Sequence, residues 1–219
     1  MNGIAIVNIE CKTPNHTVVL LTKEAIVGKV KTRLATAIGM KNAMYIHYEM
    51  CIYIIEYLVN NQIPLVVSLD QQIKEGKIYQ YCRSKQILTS LQKEGDLGEK
   101  IGYEMNRYPR CVVLGADTPI FLISEIQNAL HSTELVLGPT DDGGYWLIAM
   151  NKPHINLFEH ISWSTSQVLS QTLQNAKKLE YPVHLLSKRY DIDTHSDLQK
   201  LLSDSNIPLT LKQRILPYA

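Results

Sequence analysis

The sequence predicts an α/β fold of three layers, with a mostly parallel sheet held between helices. Strand-like runs alternate with helix-like runs along almost the whole of the 219-residue chain. Two of these runs, Val18-Val19-Leu20-Leu21 and Cys111-Val112-Val113-Leu114, are apolar at every position, as expected of strands covered on both faces. Charged, turn-rich loops follow them, at the sheet edge where α/β folds bind ligands.

The elements follow in order. Ile4 to Ile9 reads as an extra strand pairing across Thr13-Pro14-Asn15 with Val18–Leu21. Met44, Tyr48, Cys51, Ile55 and Leu58 recur at helical spacing and predict a long helix. Pro64 precedes the strand Leu65–Ser68, and Ile87-Leu88 is a further short strand. A helix over Gly98–Asn106 leads to the 111–114 strand, and a helix around Ile123–Leu130 leads to the strand Leu135–Leu137. Tyr145–Met150 is another strand. Ser164-Thr165-Ser166-Gln167 matches a capping box opening a helix whose buried stripe is Val168, Leu169, Leu173 and Ala176. Val183–Leu186 is the last strand, and Thr194 with Asp197 forms a second capping box.

One domain spanning residues 1–219 is expected, with residues 1–16 an N-terminal extension or extra strand. A chain of this size buries roughly 70% of its unfolded surface and needs no staples. The 22 basic and 21 acidic side chains leave no field for nucleic acid or an anionic membrane, so an anionic ligand must be small and locally recognised. Cys11, Cys51, Cys82 and Cys111 are scattered, with no C-x-x-C pair, and read as reduced thiols of a cytoplasmic protein. No apolar stretch approaches membrane length and no signal peptide is recognisable.

Four segments fall at the predicted strand ends. Gly115-Ala116-Asp117-Thr118-Pro119 delivers a carboxylate to the sheet edge, where Asp117 serves a ligand or caps a helix begun by Pro119. Gly28-Lys29-Val30-Lys31-Thr32-Arg33-Leu34 is not a P-loop, yet it gathers three cations near a helix start suited to phosphate. Gly138 to Tyr145 carries Asp141, Asp142, Gly143 and Gly144. This is more chemistry than a hairpin turn needs. In Asp191 to Leu198 the cap uses Asp197 and leaves Asp193 free.

With Gln92-Lys93-Glu94-Gly95-Asp96-Leu97-Gly98-Glu99-Lys100 and Trp163-Ser164-Thr165, these segments resemble a bacterial family of glycosyltransferase-A-type (GT-A) proteins, arsenosugar-biosynthesis-like glycosyltransferases among them. They are more distantly similar to cofactor guanylyltransferases and molybdenum-cofactor nucleotidyltransferases. The resemblance covers about Val18 to Leu202 and departs from the family pattern at Ala25-Ile26-Val27, Thr118 and Ala149. It implies a nucleotide-binding half, an acceptor-binding half, a nucleoside-diphosphate sugar and a divalent cation. On that basis Asp117 and Asp193 are expected to hold Mg²⁺ or Mn²⁺. Lys31 and Arg33, with Gly28, would grip phosphates. Asp142, with Asp117, would carry the chemistry, and Gly143, Gly144 and Tyr145 would approach the sugar. Asp96 and Glu99 are secondary substrate-binding candidates, and Glu99 also suits the first turn of a helix. The expected partners are a nucleotide sugar and an acceptor of undefined identity. Nucleotidyl transfer from a nucleoside triphosphate, with pyrophosphate release, and a non-catalytic nucleotide-binding protein are the alternatives; the oligomeric state is not legible.

Overall fold

A computed structural model describes residues 16–72, 74–108, 110–151 and 155–219. The expected strand at Ile4–Ile9 lies outside the described residues. One seven-stranded sheet organises the rest, in the order β3-β2-β1-β4-β6-β5-β7. Its strands are β1 (Thr17–Thr22), β2 (Leu65–Leu69), β3 (Leu88–Leu91), β4 (Cys111–Gly115), β5 (Leu135–Pro139), β6 (Tyr145–Met150) and β7 (Val183–Leu185). Six strands run in one direction; β6 pairs antiparallel with both β4 and β5.

Alternation along the central strands divides the core into two layers. Val18 and Leu20 of β1, Val112 and Leu114 of β4, and Leu147 and Ala149 of β6 enter one core. Their neighbours Val19, Cys111, Val113, Ile148 and Met150 enter the other. A strand buried on both faces must be apolar at every position, which is how β1 and β4 read. The first core is covered by α1 (Thr32–Ile38), α2 (Met40–Asn60), α3 (Lys77–Ser84), α5 (Ile123–His131), α7 (His195–Ser203) and α8 (Leu209–Ile215). The second is covered by α4 (Leu97–Arg107) and α6 (Val168–Lys178). Among the described residues no helix is long and apolar enough to cross a membrane.

Two local expectations are corrected. The Ser164–Gln167 capping box does not form: Ser164 has φ +62° and α6 begins only at Val168, with no side-chain cap on its first amides. Thr165 Oγ1 instead accepts from the Gln167 amide at 3.2 Å, a local turn that competes with the helix start. Asp117 caps no helix either, because the chain stays non-helical past Pro119 and α5 starts at Ile123. The Thr194–Asp197 box does form, with both reciprocal bonds present.

The loop after β1 is fixed by Glu24, whose side chain is fully buried. Its carboxylate accepts from the amides of Ala25 (2.8 Å), Ile78 (2.9 Å) and Tyr79 (3.0 Å), so it caps α3 from a distant segment. Gly76 stands at that junction because a Cβ there would lie 2.6 Å from Glu24 Oε2. Glu24→Ala exposes three amide donors to an apolar surrounding and is expected to destabilise the protein by about 2–3 kcal/mol, read as a lower urea midpoint with unchanged slope. A loss below about 0.5 kcal/mol would show that water replaces the carboxylate.

Candidate active site

The charged centre lies over the carboxyl ends of β1 and β4. After β1 the chain turns at Gly28 (φ +77°), buries Val30, and places Lys31 in the left-handed region at φ 47°, ψ 43°. That conformation costs a non-glycine residue about 1–2 kcal/mol, the kind of strain found at functional sites. It turns the Lys31 side chain, only 2% exposed, under the end of β4. There Nζ binds Asp117 Oδ1 and, at 3.0 Å, Asp193 Oδ1. Arg33 binds the other oxygen of Asp193. Burial works against the Lys31 ammonium, but the Asp117 and Asp193 carboxylates outweigh it and hold its pKa above the usual value. Burial likewise works against the Asp117 carboxylate; Lys31 outweighs it and holds the carboxyl below its usual range.

Asp193 reaches this centre because Ile192 is an anchor. Ile192 is 1% exposed in the core, and its amide donates to the Asp117 carbonyl at 2.9 Å. Alternation in an extended segment sends its neighbours to the opposite side, so Asp191 and Asp193 both face the cleft. Asp191 accepts from Thr118 Oγ1 at 2.6 Å. Burial is the leading cause that pushes its carboxyl up from 3.8 to about 6, and Asp117, Asp142 and Asp193 add to the rise.

The far wall is the loop between β5 and β6. Asp142 Oδ1 accepts from Thr140 Oγ1 at 2.6 Å and from the Gly144 amide at 3.0 Å, an Asx turn that leaves Oδ2 without a hydrogen bond among the described residues. Gly143 has φ +88°, and a Cβ there would meet the Ser166 carbonyl oxygen at 2.2 Å. The close approach that Gly143 permits in this structure is therefore to Ser166, in the loop that carries Trp163. Asp142, Gly144, Tyr145, Trp163 and Ser164–Ser166 line one cleft of about 910 Å³ with Lys31, Arg33, Asp117, Asp191 and Asp193.

Gly28, Asp96 and Glu99 stand apart from the cleft lining. Gly28 shapes the turn before Lys31. Asp96 and Glu99 cap α4 reciprocally, at 2.9 and 3.0 Å. Tyr145 lines the cleft with its ring while its hydroxyl is buried. Polar cleft residues that the sequence did not mark as site candidates include Asp191, Gln92 and His47. The Asp-Ile-Asp alternation signals Asp191. His47 carries no local signal; it lies inside α2, where Nε2 donates to the Lys23 carbonyl at 2.9 Å and burial lowers its pKa, keeping the ring neutral.

The two carboxylates Asp117 and Asp193 offer an all-oxygen donor set suited to a hard divalent cation. Asp117 has one oxygen outside the Lys31 contact and a half-exposed side chain. Among the described residues no group of three or more His, Cys, Asp or Glu side chains is arranged to hold a metal ion. A cation would thus draw its remaining ligands from substrate phosphates and water, as Mg²⁺ commonly does.

Asp191 gives this centre a pH signature. Its folded-state pKa is raised, so between 3.8 and about 6 the folded protein binds more protons than the unfolded chain, and stability falls as pH rises through that window. Asp191→Asn is expected to flatten this slope and to melt above wild type at pH 7, measured by thermal denaturation across pH. An identical slope in the variant would assign the effect to other groups.

The chain was compared with known proteins. No curated protein matches it in sequence. Among solved structures it is similar to a protein assigned to the nucleotide-diphospho-sugar transferases from Desulfovibrio desulfuricans G20, with a TM-score of 0.82 at 24% identity, covering 93% of this chain and 98% of that one. A cytidylyltransferase from Leptospira borgpetersenii superposes with a TM-score of 0.54 at 10% identity, over 93% and 91% of the two chains. These likenesses establish the fold as that of the nucleotide-diphospho-sugar transferases, the GT-A type. Residues 54–165, just over half of the chain, match the family described as "Uncharacterized protein conserved in bacteria" (DUF2064), and they span β2 to the Trp163 loop with Asp117 and Asp142 between. The protein is a member of the DUF2064 family.

Proposed function

We propose that the cleft binds a nucleoside-diphosphate sugar together with Mg²⁺ or Mn²⁺ and transfers the glycosyl group to an acceptor hydroxyl. The observation that carries this reading is the convergence of Asp117, Asp142, Asp191 and Asp193 with Lys31 and Arg33 on one cleft at the carboxyl ends of the strands. Its volume of about 910 Å³ lies near the top of the range for small-molecule sites, which suits a ligand of two parts plus an acceptor. The fold is one that nucleotide-diphospho-sugar transferases use.

The residues divide the work. Asp117 and Asp193 would hold the cation, which when bound supplies positive charge to the diphosphate as it leaves. Lys31 neutralises the two carboxylates from below. Arg33, with a side chain 69% exposed, would grip phosphate oxygens, and a charge-assisted bond there contributes about 1.5–3 kcal/mol. Asp142 Oδ2 takes the proton of the acceptor hydroxyl as its oxygen bonds to the sugar's anomeric carbon. The bond from that carbon to the phosphate oxygen breaks, and the nucleoside diphosphate departs.

Thermal-shift and calorimetric titration with UDP, GDP and CDP, with and without Mn²⁺, is expected to give stabilisation that needs the cation. Asp117→Ala should keep its fold and lose the Mn²⁺-dependent part; a collapsed melting temperature with the Mn²⁺ effect retained would make Asp117 structural. Turnover of a donor sugar should release nucleoside diphosphate, whereas pyrophosphate release from a triphosphate would favour nucleotidyl transfer.

Asp142→Asn tests the base. It should leave nucleotide affinity nearly intact and lower nucleoside-diphosphate release by about 10²–10⁴-fold. Unchanged release removes Asp142 from the chemistry, and lost Mn²⁺ binding moves it to the cation ligands.

A further inference from the structure

Gln92 lies where three parallel strands end. Its main-chain amide donates to the Leu69 carbonyl of β2 at 2.9 Å. Its side-chain Nε2 donates to two more carbonyls, those of Thr22 at the end of β1 and Ser68 in β2, each at 2.9 Å. Carbonyl oxygens only accept, so the nitrogen must face both of them, and the usual ambiguity of an amide flip does not arise. Both Nε2 protons are used. Oε1 is left on the opposite side, without a hydrogen-bond partner among the described residues and not enclosed, in a side chain that lines the cleft.

The cleft that this fixed acceptor lines also carries aliphatic side chains. Leu97, on the first turn of α4, is 44% exposed although it is a large aliphatic side chain. Leu21 and Ile101 line the same cleft, with Lys23 and Lys100. Aliphatic side chains and one immobile acceptor in the same cleft suit a flat heteroaromatic ring that carries an N–H donor in its plane. The position along the sheet fits as well. Gln92 bridges the ends of β1 and β2, while Asp117 follows β4 on the other side of β1. One to two strand spacings, roughly 5–10 Å, separate the two positions, the span of a ribose with its first phosphate.

We propose that Oε1 of Gln92 accepts an N–H from the base of the bound nucleotide and is the residue that sets base preference. This rests on the nucleotide-sugar reading above and adds the contact by which one base is told from another. An acceptor held by two backbone bonds cannot turn to present a donor, so a base offering a lone pair at that point meets repulsion and an unpaired oxygen.

The test measures dissociation constants of UDP, TDP, GDP, CDP, ADP and inorganic pyrophosphate at fixed Mn²⁺ for wild type, Gln92→Met and Gln92→Lys. Met keeps the length and removes the acceptor. Lys also removes it but keeps donors for the Thr22 and Ser68 carbonyls, which guards against a variant that merely loosens the strand ends. Wild type is expected to prefer one diphosphate by about tenfold or more. Both variants should flatten that ratio to about twofold, and Gln92→Met should bind pyrophosphate within about twofold of wild type. An unchanged ratio in either folded variant, or a wild type that does not discriminate, overturns the base contact alone. Equal losses for nucleotides and pyrophosphate would make Gln92 a strand-end tie. A wild type that binds pyrophosphate but no nucleoside diphosphate overturns this contact and the nucleotide reading together.

Discussion

A single buried ammonium joins three remote stretches of the chain. Lys31 comes from the loop after β1, Asp117 from the end of β4, and Asp193 from the segment ahead of α7. Two carboxylates about 4 Å apart repel by roughly 4 kcal/mol at an effective dielectric near 20, a cost that a cation between them removes. The protein supplies that cation itself, and it accepts a left-handed backbone at Lys31 to do so. Removing Lys31 would leave two acids facing one another, a larger cost than the lost contacts alone. The sheet edge is thereby held in shape before any ligand arrives.

Around that centre the cations differ in freedom. The Lys31 side chain is enclosed and shared by two acids, whereas Arg33 touches Asp193 from an exposed position. A guanidinium in such a place can exchange one oxygen partner for another at little cost in desolvation. Behind the cleft, Phe121 stacks on Trp146 at 5.8 Å and the Arg189 guanidinium lies 4.9 Å over the same indole. Glu125 in turn binds Arg189, so the floor under the β5–β6 loop is braced from two sides.

Much of the frame was legible because its signals are local. The unbroken apolar runs of β1 and β4 gave their burial away, and Asp117 falls where a parallel sheet leaves its ligand edge. Asp193 stood out because the Thr194–Asp197 cap accounts for its neighbour. What escaped depends on contacts distant in sequence. The Ser164 capping box has the right letters, but the segment is drawn toward Gly143 and takes a turn instead. Asp191 has only the Asp-Ile-Asp alternation to mark it until Ile192 docks under Asp117. Gln92 becomes informative only when two carbonyls from other strands fix its amide. The reversal of β6 was also hidden, since a strand's direction leaves no mark on its composition.

The contact between Gly143 and the Ser166 main chain carries a consequence of another kind. The Leu169 amide also donates to the Gly143 carbonyl at 2.8 Å, so the β5–β6 loop and the stretch leading into α6 are fastened backbone to backbone. Change in the shape of this wall is then constrained. Any side chain at position 143 would push the second stretch away, and an insertion in either would break the fastening. The two stretches can diverge only as a pair, through their outward residues, and a graft between homologues must carry both.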